Sequence, residues 1–81
     1  MNGVNDGNDT TGTVAAVFAN VLGATEIDHE AGFFELGATS LTVVRAMNQL
    51  RERWPFLGPV DAFAHPTVTA LARYIETRTG A

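Results

Sequence analysis

Three stretches of this chain place apolar residues on one helical face, and none alternates in the manner of a strand. That pattern limits the fold to a small helical bundle. In the first stretch Val14, Val17, Phe18, Val21 and Leu22 follow the i, i+3, i+4, i+7, i+8 spacing of a buried face. A helix is expected over residues 11–22, with Thr11 or Thr13 as its cap and Gly23 just past its end. A second helix is expected from Ser40 to Arg53, with Leu41, Val44, Met47 and Leu50 inward and Val43 and Ala46 widening the stripe. Arg51 and Arg53 fall in its last turn, where cations favour the helix dipole, and Pro55 stops it. Pro59 suits the first position of a short helical turn over 59–64, anchored by Phe63. His65 precedes Pro66 and is biased away from helix. The last helix starts after Thr67, its N-cap, with Val68, Leu71, Ala72 and Ile75 inward and Gly80 beyond its end. The expected fold is therefore all-α: three main helices plus one short helix, with a long loop between helices one and two.

That loop, residues 23–39, is long for a small domain, and connections of this length are often functional. Ile27, Phe33, Phe34 and Leu36 are too apolar to leave in water, so at least one of the two phenylalanines plugs the core. Burying one such ring is worth about 1.5–3 kcal/mol, enough to fix the loop's course. Residues 1–10 are rich in Asn, Asp and Gly, lack periodicity and read as a flexible tail. One domain is expected over residues 11–79.

With 81 residues, the chain supports one modest core and a stability of about 4–12 kcal/mol. Its 46% apolar content is that of a folded protein. It has no cysteine, which excludes disulfides, thiolate catalysis and the common zinc-finger ligand sets. It has no lysine either; its five basic residues are Arg45, Arg51, Arg53, Arg73 and Arg78, so lysine Schiff-base chemistry is out. A net charge of −4 argues against nucleic acid and fits basic protein partners. No apolar run approaches membrane-spanning length and no basic leader precedes one, so a cytoplasmic, soluble protein is the default expectation.

The candidate site lies in "FFELGATSLTVV", residues 33–44. Two aromatics and a leucine run up to Gly37, a small polar corner follows, and the second helix starts with a lone serine, Ser40. The plainest role for Ser40 is an N-cap or a surface turn residue. A hydrolase would need partners, and His65 and Asp61 are the candidates. The Gly-x-Ser-x-Gly elbow is missing, because Thr42 stands where its second glycine would be. A phosphate-binding glycine loop lacks both its glycine spacing and its lysine.

Four segments carry a family resemblance. "FFELGATSL" resembles the attachment motif of the phosphopantetheine-dependent carrier proteins, approximately D-x-FFELGG-x-S-L, found in acyl and peptidyl carriers of polyketide, fatty-acid and nonribosomal peptide synthesis. "VAAVFANVLG" is similar to their first helix, "VRAMNQLRERW" to their second, and "DAFAHPTVTALARYIE" to their C-terminal FxHPTVxxLAxxI segment. Residues 14–76 are covered in order with family-like spacing.

The resemblance implies that Ser40 Oγ receives 4′-phosphopantetheine from coenzyme A through a separate transferase, with Thr39 and Leu41 flanking the attachment site. The new thiol then carries an aminoacyl or acyl group as a thioester. It implies a non-enzymatic, monomeric shuttle. Its partners are a phosphopantetheinyl transferase, an adenylation or acyl-loading enzyme, and condensation, ketosynthase or tailoring enzymes. Nucleic acid and membrane are not among them. The residues agree: a chain without cysteine has no thiol of its own, and a phosphodiester suits a helix N-terminus. Ala38 replaces the motif's second glycine, a small change at negative φ and a strained one at positive φ. Thr39 stands where many carriers have Asp or His, which lowers the fatty-acid subclass. Phe33, Phe34 and Leu36 read as core anchors and Leu41 as the partner-facing apolar residue. Arg45 and Arg51 make the second helix basic, and with "HPTV" they favour a peptidyl carrier, the acyl carrier of a polyketide synthase being the alternative. An unmodified helical interaction domain is the competing class.

Overall fold

The computed structural model describes residues 6–80, with side chains from Thr10 onward. Four helices follow one another: α1 Asp6–Leu22, α2 Ser40–Leu50, α3 Pro59–Ala64 and α4 Val68–Thr79. There is no strand among the described residues. α1 packs against both α4 and α2, and α2 packs against α3. The core between them is built from Val14 and Phe18 of α1, Val43, Ala46, Met47 and Leu50 of α2, and Val68, Leu71 and Ile75 of α4. All-α architecture, three long helices, one short helix and the long first loop are as expected.

The boundaries differ in instructive ways. α1 begins at Asp6 rather than residue 11, inside the segment expected to be a tail. Thr10 is buried one turn before Val14, which lies one turn before Phe18, so the inner stripe extends N-terminally through a small polar residue. Thr11 and Thr13 therefore lie within the helix and cap nothing. Of the expected tail, residues 1–5 lie outside the described residues. The other end of α1 is as expected. Gly23 takes φ +72°, its N–H donates to the Asn20 carbonyl at 3.2 Å, and the Ala24 N–H donates to the Ala19 carbonyl at 2.8 Å. This pair of bonds is a Schellman motif.

α2 ends at Leu50, earlier than Arg53. The Glu52 and Arg53 N–H groups donate to the Gln49 and Leu50 carbonyls at 3.2 and 3.1 Å, a tighter winding that swings Trp54 into the core. Arg51 is the C-cap and Arg53 lies beyond, its guanidinium 5.0 Å from the Trp54 ring centroid. Trp54 and Leu57 are buried core residues in the α2–α3 connection, a contribution absent from the helix-by-helix reading. The buried stripe of α2 is Val43, Ala46, Met47 and Leu50, while Leu41 is 61% exposed and Val44 half-buried. Apolar residues at 41, 43, 44, 46, 47 and 50 permit more than one stripe, and packing selects the one centred on Ala46 and Leu50.

α3 starts with Pro59 in its first turn, and the Asp61 carboxylate accepts the Gly58 N–H at 2.9 Å. Ala62, not Phe63, anchors α3 in the core. α4 is capped by Thr67, whose hydroxyl accepts the Ala70 N–H at 3.0 Å, and it ends at Gly80 with φ +80°. Its inner face is Val68, Leu71, Ala72 and Ile75, as the spacing predicts.

Candidate functional site

The corner before α2 is assembled from the core outward. Phe33 is fully buried and stacks on Phe18, and its N–H donates to the Pro66 carbonyl at 2.7 Å. The same loop is tied to the first turn of α4: the Thr69 N–H donates to the His29 carbonyl at 3.1 Å, and the Thr69 hydroxyl donates to Glu30 Oε2 at 2.6 Å. Phe33 thus fixes the loop, as one of the two phenylalanines was expected to do. Phe34 does not join the core. It is 44% exposed and stacks on Phe63 of α3, itself 47% exposed, with ring centroids 5.5 Å apart. Leu36 is only half-buried.

After Phe33 the chain winds into a tight turn. The Leu36 N–H reaches the Gly32 and Phe33 carbonyls, that of Gly37 reaches Phe34, and that of Ala38 returns to Phe33, each at 3.1 Å. Gly37 closes the turn at φ +102°, a region where a side chain is strained. Ala38 is buried, and no residue other than glycine has positive φ among the described residues. Its methyl therefore costs no backbone strain.

Thr39, rather than Ser40, is the N-cap of α2. Its φ, ψ of −106°, 174° are extended, and its hydroxyl accepts the Thr42 N–H at 3.2 Å and lies 3.0 Å from the Thr42 hydroxyl. The Val43 N–H donates to the Thr39 carbonyl at 2.9 Å. With Thr39 doing the capping, Ser40 becomes the first residue of the helix. It is exposed, and among the described residues its hydroxyl has no hydrogen-bond partner. The N–H groups of Ser40 and Leu41 likewise have no acceptor among the described residues, as befits the first turn of a helix. A free hydroxyl beside two free amides at the positive end of a helix dipole fits an anionic phosphodiester.

The hydrolase alternative finds no support in the geometry. The Asp61 carboxylate is engaged with the Gly58 amide, and the His65 ring stacks on Tyr74 at 4.5 Å. Among the described residues no hydrogen bond joins either of them to Ser40, and no three His, Asp or Glu side chains gather as metal ligands. No described helix is long and apolar enough to cross a membrane.

Residues 12–75 match the family described as the phosphopantetheine attachment site. The chain belongs to that family of carrier domains. Its members bear covalently attached 4′-phosphopantetheine. The domain is 44% identical over 68 residues to the phenolphthiocerol synthesis polyketide synthase type I Pks15/1 of Mycobacterium marinum, an alignment covering 79% of this chain and 3% of that one. It is 39% identical over 67 residues to the phosphinothricin tripeptide synthetase PhsB of Streptomyces viridochromogenes, covering 82% and 6%. This carrier domain is thus a small fraction of the length of the curated relatives it matches. Its fold is similar to that of BlmI, a type-II acyl carrier protein from Streptomyces verticillus, with TM-score 0.85 at 19% identity over 90% of this chain and 89% of that one. It is also similar, with TM-score 0.76 and 29% identity over 96% and 95% of the two chains, to a structure of the transferase Sfp in complex with coenzyme A and a peptidyl carrier protein.

Proposed function

We propose that Ser40 is the attachment residue and that the domain serves a nonribosomal peptide or polyketide synthase as its covalent shuttle. The observation that carries this is the division of labour at the α2 N-terminus: Thr39 caps the helix, which leaves the Ser40 hydroxyl exposed and unbonded among the described residues. Ser40 Oγ attacks the pantetheine-bearing phosphorus of coenzyme A. An O–P bond forms, the pyrophosphate P–O bond breaks, adenosine 3′,5′-bisphosphate leaves, and the hydroxyl proton passes to a base of the transferase. The unbonded amides of Ser40 and Leu41 would hold the phosphodiester, and the cap at Thr39 keeps this end of α2 wound. When bound, the arm supplies the thiol that this cysteine-free chain lacks and carries aminoacyl or acyl cargo on it.

The domain itself turns nothing over; Asp61 is committed to its cap and His65 to its stack on Tyr74. Loading falls to an adenylation or acyl-loading enzyme, and consumption to condensation, ketosynthase or tailoring enzymes. Arg45, exposed on α2, and the HPTV segment opening α4 support a peptidyl carrier. The 44% identity to a polyketide synthase supports the acyl alternative. Incubation with coenzyme A and a phosphopantetheinyl transferase should add one phosphopantetheinyl group to the wild type and none to Ser40→Ala, read by intact-protein mass spectrometry. A folded wild-type chain that takes up nothing would instead favour an unmodified interaction domain.

A further inference from the structure

The outer side of α4 carries a groove of about 400 Å³, lined by His65, Ala70, Arg73, Tyr74 and Thr77. Its volume falls in the range of ligand-binding clefts. Ala70, Arg73 and Thr77 recur at helical spacing on the side opposite the buried Val68, Leu71, Ala72 and Ile75. One wall is aromatic and braced from several directions. The Tyr74 ring stacks on His65 with centroids 4.5 Å apart and meets the Phe56 ring edge-on at 6.2 Å. The Arg78 guanidinium lies 4.7 Å from the Phe56 ring centroid and donates to the Tyr74 hydroxyl at 2.8 Å. Among the described residues, no hydrogen bond or ring contact joins the lining side chains to residues 33–44, so the attachment corner does not account for this wall.

The charge here runs against that of the whole chain. The net charge is −4, yet α4 holds Arg73 and Arg78 against a single carboxylate, Glu76. Neither guanidinium has a carboxylate partner among the described residues. Arg78 is engaged with the rings and the Tyr74 hydroxyl, and the Thr77 hydroxyl donates to the Arg73 carbonyl at 2.9 Å. That leaves the exposed Arg73 guanidinium as the polar group able to meet a ligand. A groove with an aromatic wall and a cation at its edge fits a large apolar side chain flanked by carboxylates.

We infer that the α4 groove docks an acidic linker segment of the synthase polypeptide, one that sets a large apolar side chain between carboxylates; this rests on the domain serving such a synthase. Charge selects the chemistry of the occupant. Arg73 and Arg78 repel a basic segment, and a second copy presenting this same groove would set arginine against arginine. Scale selects its source. A groove this small binds weakly by itself, but a segment joined to the domain by a short flexible tether meets it at an effective concentration of about 1 mM. The relatives provide that setting, since the aligned region is 3% of one synthase's length and 6% of another's. A segment held on α4 leaves residues 33–44 to the enzymes that modify and load Ser40.

The test titrates the nitrogen-15-labelled domain with the peptide Glu-Asp-Phe-Glu-Glu-Leu-Asp and follows backbone amide shifts. A counterpart with lysine at every acidic position is the control. The acidic peptide should move the amides of Ala70, Arg73, Tyr74 and Thr77 and leave those of residues 37–41 in place. Arg73→Gln should weaken it about fivefold at low salt, with the difference closing by about 0.5 M salt. Ala70→Glu, which sets a carboxylate in the groove, should abolish the shifts while keeping the helical spectrum. Both variants should be modified at Ser40 as fast as wild type. Fused behind Ala81 through a Gly-Ser linker of about ten residues, the acidic peptide should hold the groove occupied without added peptide. The inference is overturned if the α4 amides stay still up to about 10 mM free peptide, some tenfold above the tethered concentration. Equal shifts with the lysine peptide overturn it too, as does wild-type affinity in Arg73→Gln. So do α4 shifts that arise on concentrating the domain alone, since the occupant would then be a second copy. Failure of the shuttle reading shows separately, as a wild type that takes up no phosphopantetheine.

Discussion

Phe18 of α1 and Phe33 of the long loop stack face to face, ring centroids 3.8 Å apart and planes 1° from parallel. Both rings are fully buried, so Phe33 is the large side chain that pins the loop leading to Ser40 into the core. Truncating Phe33 to alanine should cost about 3–5 kcal/mol, a large share of the stability of so small a domain. Phe34→Ala, which removes only a half-exposed surface stack, should cost about 1 kcal/mol. Urea unfolding of the two variants decides it: similar losses would mean that the neighbouring rings share the anchoring.

The two hydroxyl residues at the start of α2 should respond in opposite ways. Thr39→Ala removes the bond to the Thr42 amide and should destabilise the domain by about 1 kcal/mol. Thr39→Ser should restore most of it. Ser40→Ala makes no such loss and should leave stability within about 0.5 kcal/mol of wild type. If Ser40→Ala were instead the costlier substitution in thermal or urea melts, Ser40 would be the structural cap and its hydroxyl would not be spare.

Gly37 and Ala38 form a similar contrast. Gly37 sits at φ +102° with nothing near the place a Cβ would occupy, so Gly37→Ala suffers from backbone strain rather than from a clash and should lose about 1–3 kcal/mol. Ala38 has no positive φ, and Ala38→Gly should lose about 0.4–1 kcal/mol by loosening the unfolded chain. A stabilised Ala38→Gly variant in the same melts would show that the alanine is a strained departure from the double-glycine motif.

The helices were legible because burial leaves its period in the sequence. Val68, Leu71, Ala72 and Ile75 could form only one stripe, and they do. α2 was less legible, since six apolar positions admit overlapping stripes and only packing against α1 and α3 rotates Leu41 outward. The start of α1 and the end of α2 were missed for separate reasons: a buried threonine at position 10 carries no apolar signal, and the tight turn over 51–54 accompanies the burial of Trp54. At the site, the need for a glycine at position 37 was readable. Which of Thr39 and Ser40 caps the helix was not, because both side chains suit the role and only the backbone dihedrals assign it. The Phe34–Phe63 stack was hidden as well, since two phenylalanines distant in sequence give no sign that they meet in solvent.

The most direct test of the account is the position of the added group. After reaction with coenzyme A and a transferase, fragmentation of the peptide spanning residues 33–45 distinguishes three neighbouring hydroxyls: Thr39, Ser40 and Thr42. The account predicts the phosphopantetheinyl mass on Ser40 alone. Finding it on Thr39 or Thr42, or nowhere in that peptide, would contradict the account.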